Sequence, residues 1–192
     1  MGLKVPFGLR PVTTLGSSSS ARMGKYPKAA GSTANNQLVV GDVVYLNADG
    51  QAVRVNASTG AVQGRIIGVV AGFASANGVP NVFAKPTGSG KVATSAATGY
   101  VLVYDDPDQV YQVNVDTTAN FEAIVASGAG NLVDLVVTEN DYDLVLGRSG
   151  TTIQATAASA AAAHAVVIGA STEVENGTYG TAIIKLKNHI LG

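Results

Sequence analysis

Residues 37–55, QLVVGDVVYLNADGQAVRV, set the fold class of this chain. Leu38, Val39 and Val40 are followed by Val43, Val44, Tyr45 and Leu46, then, past Asn47–Gly50, by Val53 and Val55. β-Branched and aromatic side chains in this pattern suit a pleated, half-buried surface. The NADG between the runs reads as a hairpin turn, because Asp49-Gly50 tolerates the positive φ that such turns require. Gly41-Asp42, ahead of VVYL, marks a second turn. The pattern then repeats along the chain. GRIIGVVAGF, with Gly68 and Gly72, reads as a buried strand carrying bulges or sharp coiling. Further runs are VPNVFA, KVATSAATGYVLVY, DQVYQVNVD, NFEAIVAS, LVDLVV, YDLVLG, TTIQAT, AVVIGAS and GTYGTAIIKLKNHIL. Such runs at a spacing of roughly 8–12 residues, parted by Gly, Asn, Asp and Thr, predict an all-β antiparallel sandwich or barrel. QATAASAAAAHAVV has the strongest helix propensity, and NLVDLVVTENDYDL has room for a helical turn. At most one or two short helices are expected.

Residues 1–36 read differently. They hold Pro6, Pro11 and Pro27, a Ser17–Ser20 run, and neither helical nor strand periodicity. The expectation is an extended N-terminal arm, 1–36, on a β-rich body, 37–192. By composition the arm buries too little apolar surface to offset its ordering entropy, so a partner is expected to order it.

At 192 residues the chain is long enough for one domain with a real core. Charged residues make up only 13% and the net charge is −1, which leaves no electrostatic footprint for nucleic acid. The absence of cysteine excludes a disulfide framework, a thiolate zinc site and a cysteine nucleophile. No apolar core follows Lys4 and Arg10, so no signal peptide is expected. The alanine-rich tract ATAASAAAAHAVVIGA, broken by Ser159 and His164, is too short to span a bilayer. The chain is therefore expected to be soluble, without a membrane partner.

Candidate chemistry is sparse. KPTGSGKVATS, residues 85–95, fails the phosphate-loop pattern because Lys85 stands at the first glycine position and Val92 follows the lysine. Asp105, Asp106 and Asp108 form one carboxylate cluster, and Glu139, Asp141 and Asp143 another. Paired carboxylates serve hydrolysis or calcium binding. Asp-Pro-Asp is equally strong turn chemistry, and neither cluster has calcium-loop spacing. His164 and His189 lie far apart, and no G-x-S-x-G elbow accompanies them. Neither an enzyme, a metal nor a cofactor is expected.

VPFGLRPV, GDVVYLNADGQAV, RIIGVVAGF, YVLVYDDPDQVYQVNVD and IIKLKNHILG occur in this order along the chain. Together they resemble bacteriophage structural cement proteins, the head-decoration proteins of tailed phages; residues 149–174 depart from that pattern. The resemblance implies a non-catalytic virion structural protein, made in the host cytoplasm and bound to the outer surface of the capsid. It would bridge copies of the major capsid protein, commonly as a homotrimer. Pro6, Phe7, Gly8, Leu9, Arg10 and Pro11 would be the contact arm, Asp105, Asp106 and Pro107 the central turn, and Asn188 and His189 the close. Phe7 and Leu9 would serve as apolar anchors and Arg10 as a forked donor, while the prolines would stiffen the arm. A second reading is a virion-surface β-domain binding a host glycan or envelope protein, which needs an exposed apolar or tyrosine-rich patch. A third, a hydrolase, needs Asp105–Asp108 to converge in a cleft.

Overall fold

A computed structural model describes residues 7–15, 21–29, 38–55, 66–75, 77, 80–81, 99–137, 142–143, 148–155, 163–171, 180–187 and 189–190. The strands are β1 (Arg10–Thr14), β2 (Met23–Pro27), β3 (Val43–Leu46), β4 (Ala52–Arg54), β5 (Ile66–Ser75), β6 (Pro80–Asn81), β7 (Gly99–Tyr104) and β8 (Gln109–Asn114). Helix α1 (Thr118–Ser127) follows. After it come β9 (Leu132–Val136), β10 (Tyr142–Asp143), β11 (Arg148–Ser149), β12 (Thr152–Gln154), β13 (Ala165–Ser171) and β14 (Thr181–Leu186). The chain is all-β, built on two six-stranded sheets, as the strand periodicity predicts.

The first sheet runs β1-β8-β14-β13-β9-β12 and the second β2-β7-β5-β3-β4, with β6 on β5. The ladders within both are antiparallel. Both sheets curl. A parallel bridge, Val115 to Ile153, brings the end of β8 to the far strand β12; another, Lys28 to Ala52, brings the end of β2 to β4. Among the described residues neither bridge extends into a ladder and no closed barrel forms, so the architecture is that of a sandwich.

Alternation decides which side chains enter the core. Tyr111 and Val113 on β8, Val133 and Leu135 on β9, and Ala182, Ile184 and Leu186 on β14 all point inward at every second residue. This larger core also takes Val43, Ile66 and Val69 from the second sheet. The opposite face of that sheet holds a smaller core of Leu38, Val44, Ile67, Val70, Val101 and Val103. Strand β5 is thus buried on both faces. Ile66 and Val69 share one face although they are three residues apart, which strict alternation forbids. The register shift between Val44 and Tyr45, which pair with Gly68 and Ile66, leaves Ile67 as the extra residue beside Gly68, where φ is +138°. A Cβ on Gly68 would collide with the Tyr104 carbonyl oxygen.

The NADG turn forms as read. The Asn47 side chain accepts from the Asp49 and Gln51 amides, and Gly50 takes φ +72°. The described helix falls in a run read as a strand. NFEAIVAS, expected as a strand, lies in α1, capped by the Thr117 hydroxyl accepting from the Asn120 amide and closed at Gly128, φ +71°. Ile124 pins it to the larger core. NLVDLVV gives strand β9, while residues 138–141 of the window with room for a helical turn and the middle of the alanine tract lie outside the described residues.

The expectation for residues 1–36 needs correction. The segment is extended, but its described parts are ordered by their own chain. β1 pairs with β8 at the edge of one sheet and β2 with β7 at the edge of the other. Apolar burial was indeed scarce, but an edge ladder satisfies backbone groups without it. This N-terminal strap is part of both sheets.

Gly68→Ala is expected to cost more than about 2 kcal/mol, since backbone must move. Gly50→Ala, with nothing near its Cβ, should cost about 1 kcal/mol for the positive φ alone. Urea midpoints at an unchanged slope check the ranking.

Candidate functional site

The strap is fixed to the body at two places. The first receives the contact motif read from the sequence. The Leu9 amide donates to the Gly41 carbonyl at 3.0 Å, and the Leu9 side chain enters the larger core, 2% exposed. Gly8 has φ +67°, and a Cβ there would stand 2.6 Å from the Ser149 Cβ and 2.8 Å from the Gly41 oxygen. Only glycine fits both the turn and the gap. The Arg10 guanidinium lies 3.9 Å from the Phe7 ring centroid, a cation–π contact. Of the six motif residues, Gly8 and Leu9 pack on their own body, Phe7 is half-buried beside Arg10, Arg10 and Pro11 stand exposed on β1, and Pro6 lies outside the described residues.

The receiving turn, 39–42, is a hydrogen-bonded hub. The Asp42 carboxylate accepts from the Val39 amide at 2.8 Å, the Val70 amide donates to the Asp42 carbonyl, and the Ser149 amide to the Val40 carbonyl. Asp42 is 1% exposed. Burial pushes its carboxyl up to about 6, against the opposing pull of Arg54, Ser149 and the Val39 amide.

The second fixing point is the corner Tyr104–Gln109, where the chain passes from β7 in one sheet to β8 in the other. Asp105, its side chain 3% exposed, accepts from Arg22 Nε at 3.0 Å, Arg22 Nη2 at 3.3 Å and the Tyr26 hydroxyl at 2.7 Å. Burial, then the hydrogen bond to Asp105, pushes the Tyr26 phenol up to about 12, so it stays protonated and donates. Gly24 lies beneath this contact, and a Cβ there would strike the Asp105 carboxylate. The other carboxylates serve elsewhere. Asp106 accepts from the Asp108 amide at 2.9 Å, an Asx turn, and Asp108 pairs with Lys185 at 2.6 Å. The Leu15 amide donates to the Asp108 carbonyl, and Gln109 Nε2 to the Thr13 carbonyl.

The three aspartates therefore face three separate partners. They do not converge on a shared cleft, as a hydrolase would require. The Arg22–Tyr26–Asp105 cluster had no signal in the sequence, because about eighty residues separate its members. His189 Nε2 lies 3.0 Å from the Ile67 carbonyl, so that nitrogen carries the proton, and burial lowers the ring's pKa. With the Ile190 amide on the Ile66 carbonyl, it ties the chain's end to β5. His164 sits apart, its Nδ1 3.1 Å from Asp134. Asn188, residues 85–95, Glu139 and Asp141 lie outside the described residues. Among the described residues no three His, Cys, Asp or Glu side chains gather as a metal site, and no helix is long and apolar enough to cross a membrane.

No protein-family model matches the chain, and neither a curated protein nor a solved structure matches it.

Asp105→Ala is expected to lower stability by about 2 kcal/mol, because it strips the half-buried Tyr26 hydroxyl of its charged acceptor. Arg22→Ala should cost much less, since Arg22 is 60% exposed and its pairing is screened. Equal losses in urea unfolding would assign the contact to the ion pair instead. Asp42 gives a pH test. Its folded pKa lies above the unfolded value of 3.8, so its contribution is fully present below pH 3.8 and lost as pH rises through about 6. The stability of the wild type relative to Asp42→Asn should fall by about 3 kcal/mol across that window and stay level above it.

Proposed function

We propose that this chain is a capsid decoration protein, which binds the outer surface of a phage head and cements neighbouring major capsid protein subunits as a homotrimer. The observation that carries the reading is the character of the strap. Of six large apolar side chains exposed among the described residues, three lie on it: Val12 at 54%, Leu15 at 41% and Met23 at 57%. An apolar rim on a weakly charged sandwich suits a dry protein contact. The resemblance of the sequence to structural cement proteins points the same way.

The mode of binding differs from the arm expected at first. A strap already ordered along the sheet edges loses little entropy on docking. Its outer edges are also blunted. Pro11 and Pro27 offer no N–H, a register shift interrupts β1 between Pro11 and Thr13, and Lys25 stands exposed on β2. Contact with a shell is therefore through side chains and not by adding a strand. Weak sites on three linked copies reinforce one another through effective concentration. The glycan-binding alternative shares the exposed apolar side chains but gains no tyrosine platform from the described side chains, since Tyr26, Tyr45, Tyr100, Tyr104 and Tyr111 are half-buried or buried.

The test is co-sedimentation with heads lacking the native protein. The triple variant V12S/L15S/M23S should fold within about 0.5 kcal/mol of wild type, since all three sites are exposed. Its occupancy should fall at least about tenfold, a 1.4 kcal/mol effect. Unchanged occupancy, or a wild-type chain that ignores shells, would overturn the proposal.

A further inference from the structure

We propose that the strap, residues 7–29, is exchanged between copies of this chain, so that each copy's β1 and β2 lie on the β8 and β7 edges of a neighbour.

The strap is bound in a way that suits transfer. Along β1 only Thr14 is buried, and along β2 exposed residues alternate with half-buried ones. The strap contributes Leu9 to the larger core and the half-buried Tyr26 to the smaller one, and beyond β2 it buries Lys28 and Ala29. What holds it is mainly the two edge ladders, the Gly41 anchor, the Asp105 cluster and the backbone bonds of Lys28 and Ala29 to Gly99 and Ala52. A segment bound mainly through edge hydrogen bonds opens at lower free energy than core strands. Each of those contacts joins the strap to a residue at position 41 or beyond, so the same contact forms unchanged when the strap comes from a second copy.

The vacated edges also specify their occupant. The body needs a glycine under Asp105, a second with positive φ against Ser149, and an Arg and a Tyr to satisfy the Asp105 carboxylate. Gly24, Gly8, Arg22 and Tyr26 supply that set. The strap of a sister chain is therefore the occupant that fits. Blunted outer edges disfavour the other route, joining copies by adding strand to strand. Eight residues, 30–37, separate the strap from Leu38, and a stretch of that length reaches at most about 29 Å.

The lack of cysteine makes a direct test possible in the full chain. Lys25 faces Leu102, and Arg10 faces Gln112. Directly opposed strand residues lie close enough for a disulfide. K25C/L102C and R10C/Q112C, oxidised and run on a denaturing non-reducing gel, should give covalent multimers. V166C/K185C, a pair within the body across β13 and β14, should give monomers only. Strap pairs that bridge solely within one chain, or not at all, would overturn the proposal. So would a wild-type chain that light scattering finds monomeric at about 100 µM, a concentration at which a stable assembly persists. Shell binding plays no part in these measurements, so its failure leaves the exchange standing.

Discussion

Everything at the strap side of this molecule rests on a carboxylate that the fold has taken out of water. Asp105 sits where the chain turns from one sheet into the other, and its oxygens are covered. A buried charge is tolerable only when hydrogen bonds replace its hydration. Three such bonds come from Arg22 and Tyr26, which lie on a segment the core barely holds. The dependence runs both ways. The strap has little apolar burial of its own, and among the described residues no other side chain donates to that carboxylate. Gly24 completes the arrangement by leaving space for it.

The second constraint is the double burial of β5. A strand covered on both faces must send apolar side chains both ways, and Ile66, Ile67, Val69 and Val70 do so. The bulge at Ile67 and Gly68 keeps Ile66 and Val69 in one core despite their spacing. It also lets the Tyr104 carbonyl approach the backbone closely, directly before Asp105. The bulge in one strand and the corner in another are thus packed as one feature.

Much of the fold was legible. Alternation from Leu38 onward gave strands, NADG gave a hairpin, and Gly68 and Gly72 marked shifts in register, because each of these is local. The helix over Thr118–Ser127 was not, since Phe121, Ile124 and Val125 look like strand residues. Its signal lay in the flanks, Thr117 as cap and Gly128 as stop. Gly8 and Leu9 stood out in the sequence, but as an outward contact, and their destination is the Gly41 turn and the core. Composition reports how much a segment buries and is silent on which edges lie open beside it. Tyr26 and Asp105 meet only because two distant ladders bring β2 and β7 together.

The strap lies along the sheet edges as a ladder fastened at intervals. Ladder hydrogen bonds run perpendicular to their strands. A load drawn along β1 or β2 is therefore shared by all the bonds of that ladder at once. A load lifting the same strand sideways meets those bonds singly, as a zip fastener does. The protein is accordingly stiff against tension in one direction and yielding in the other. The angle at which a neighbour pulls, and not only how hard, decides whether the fastening holds.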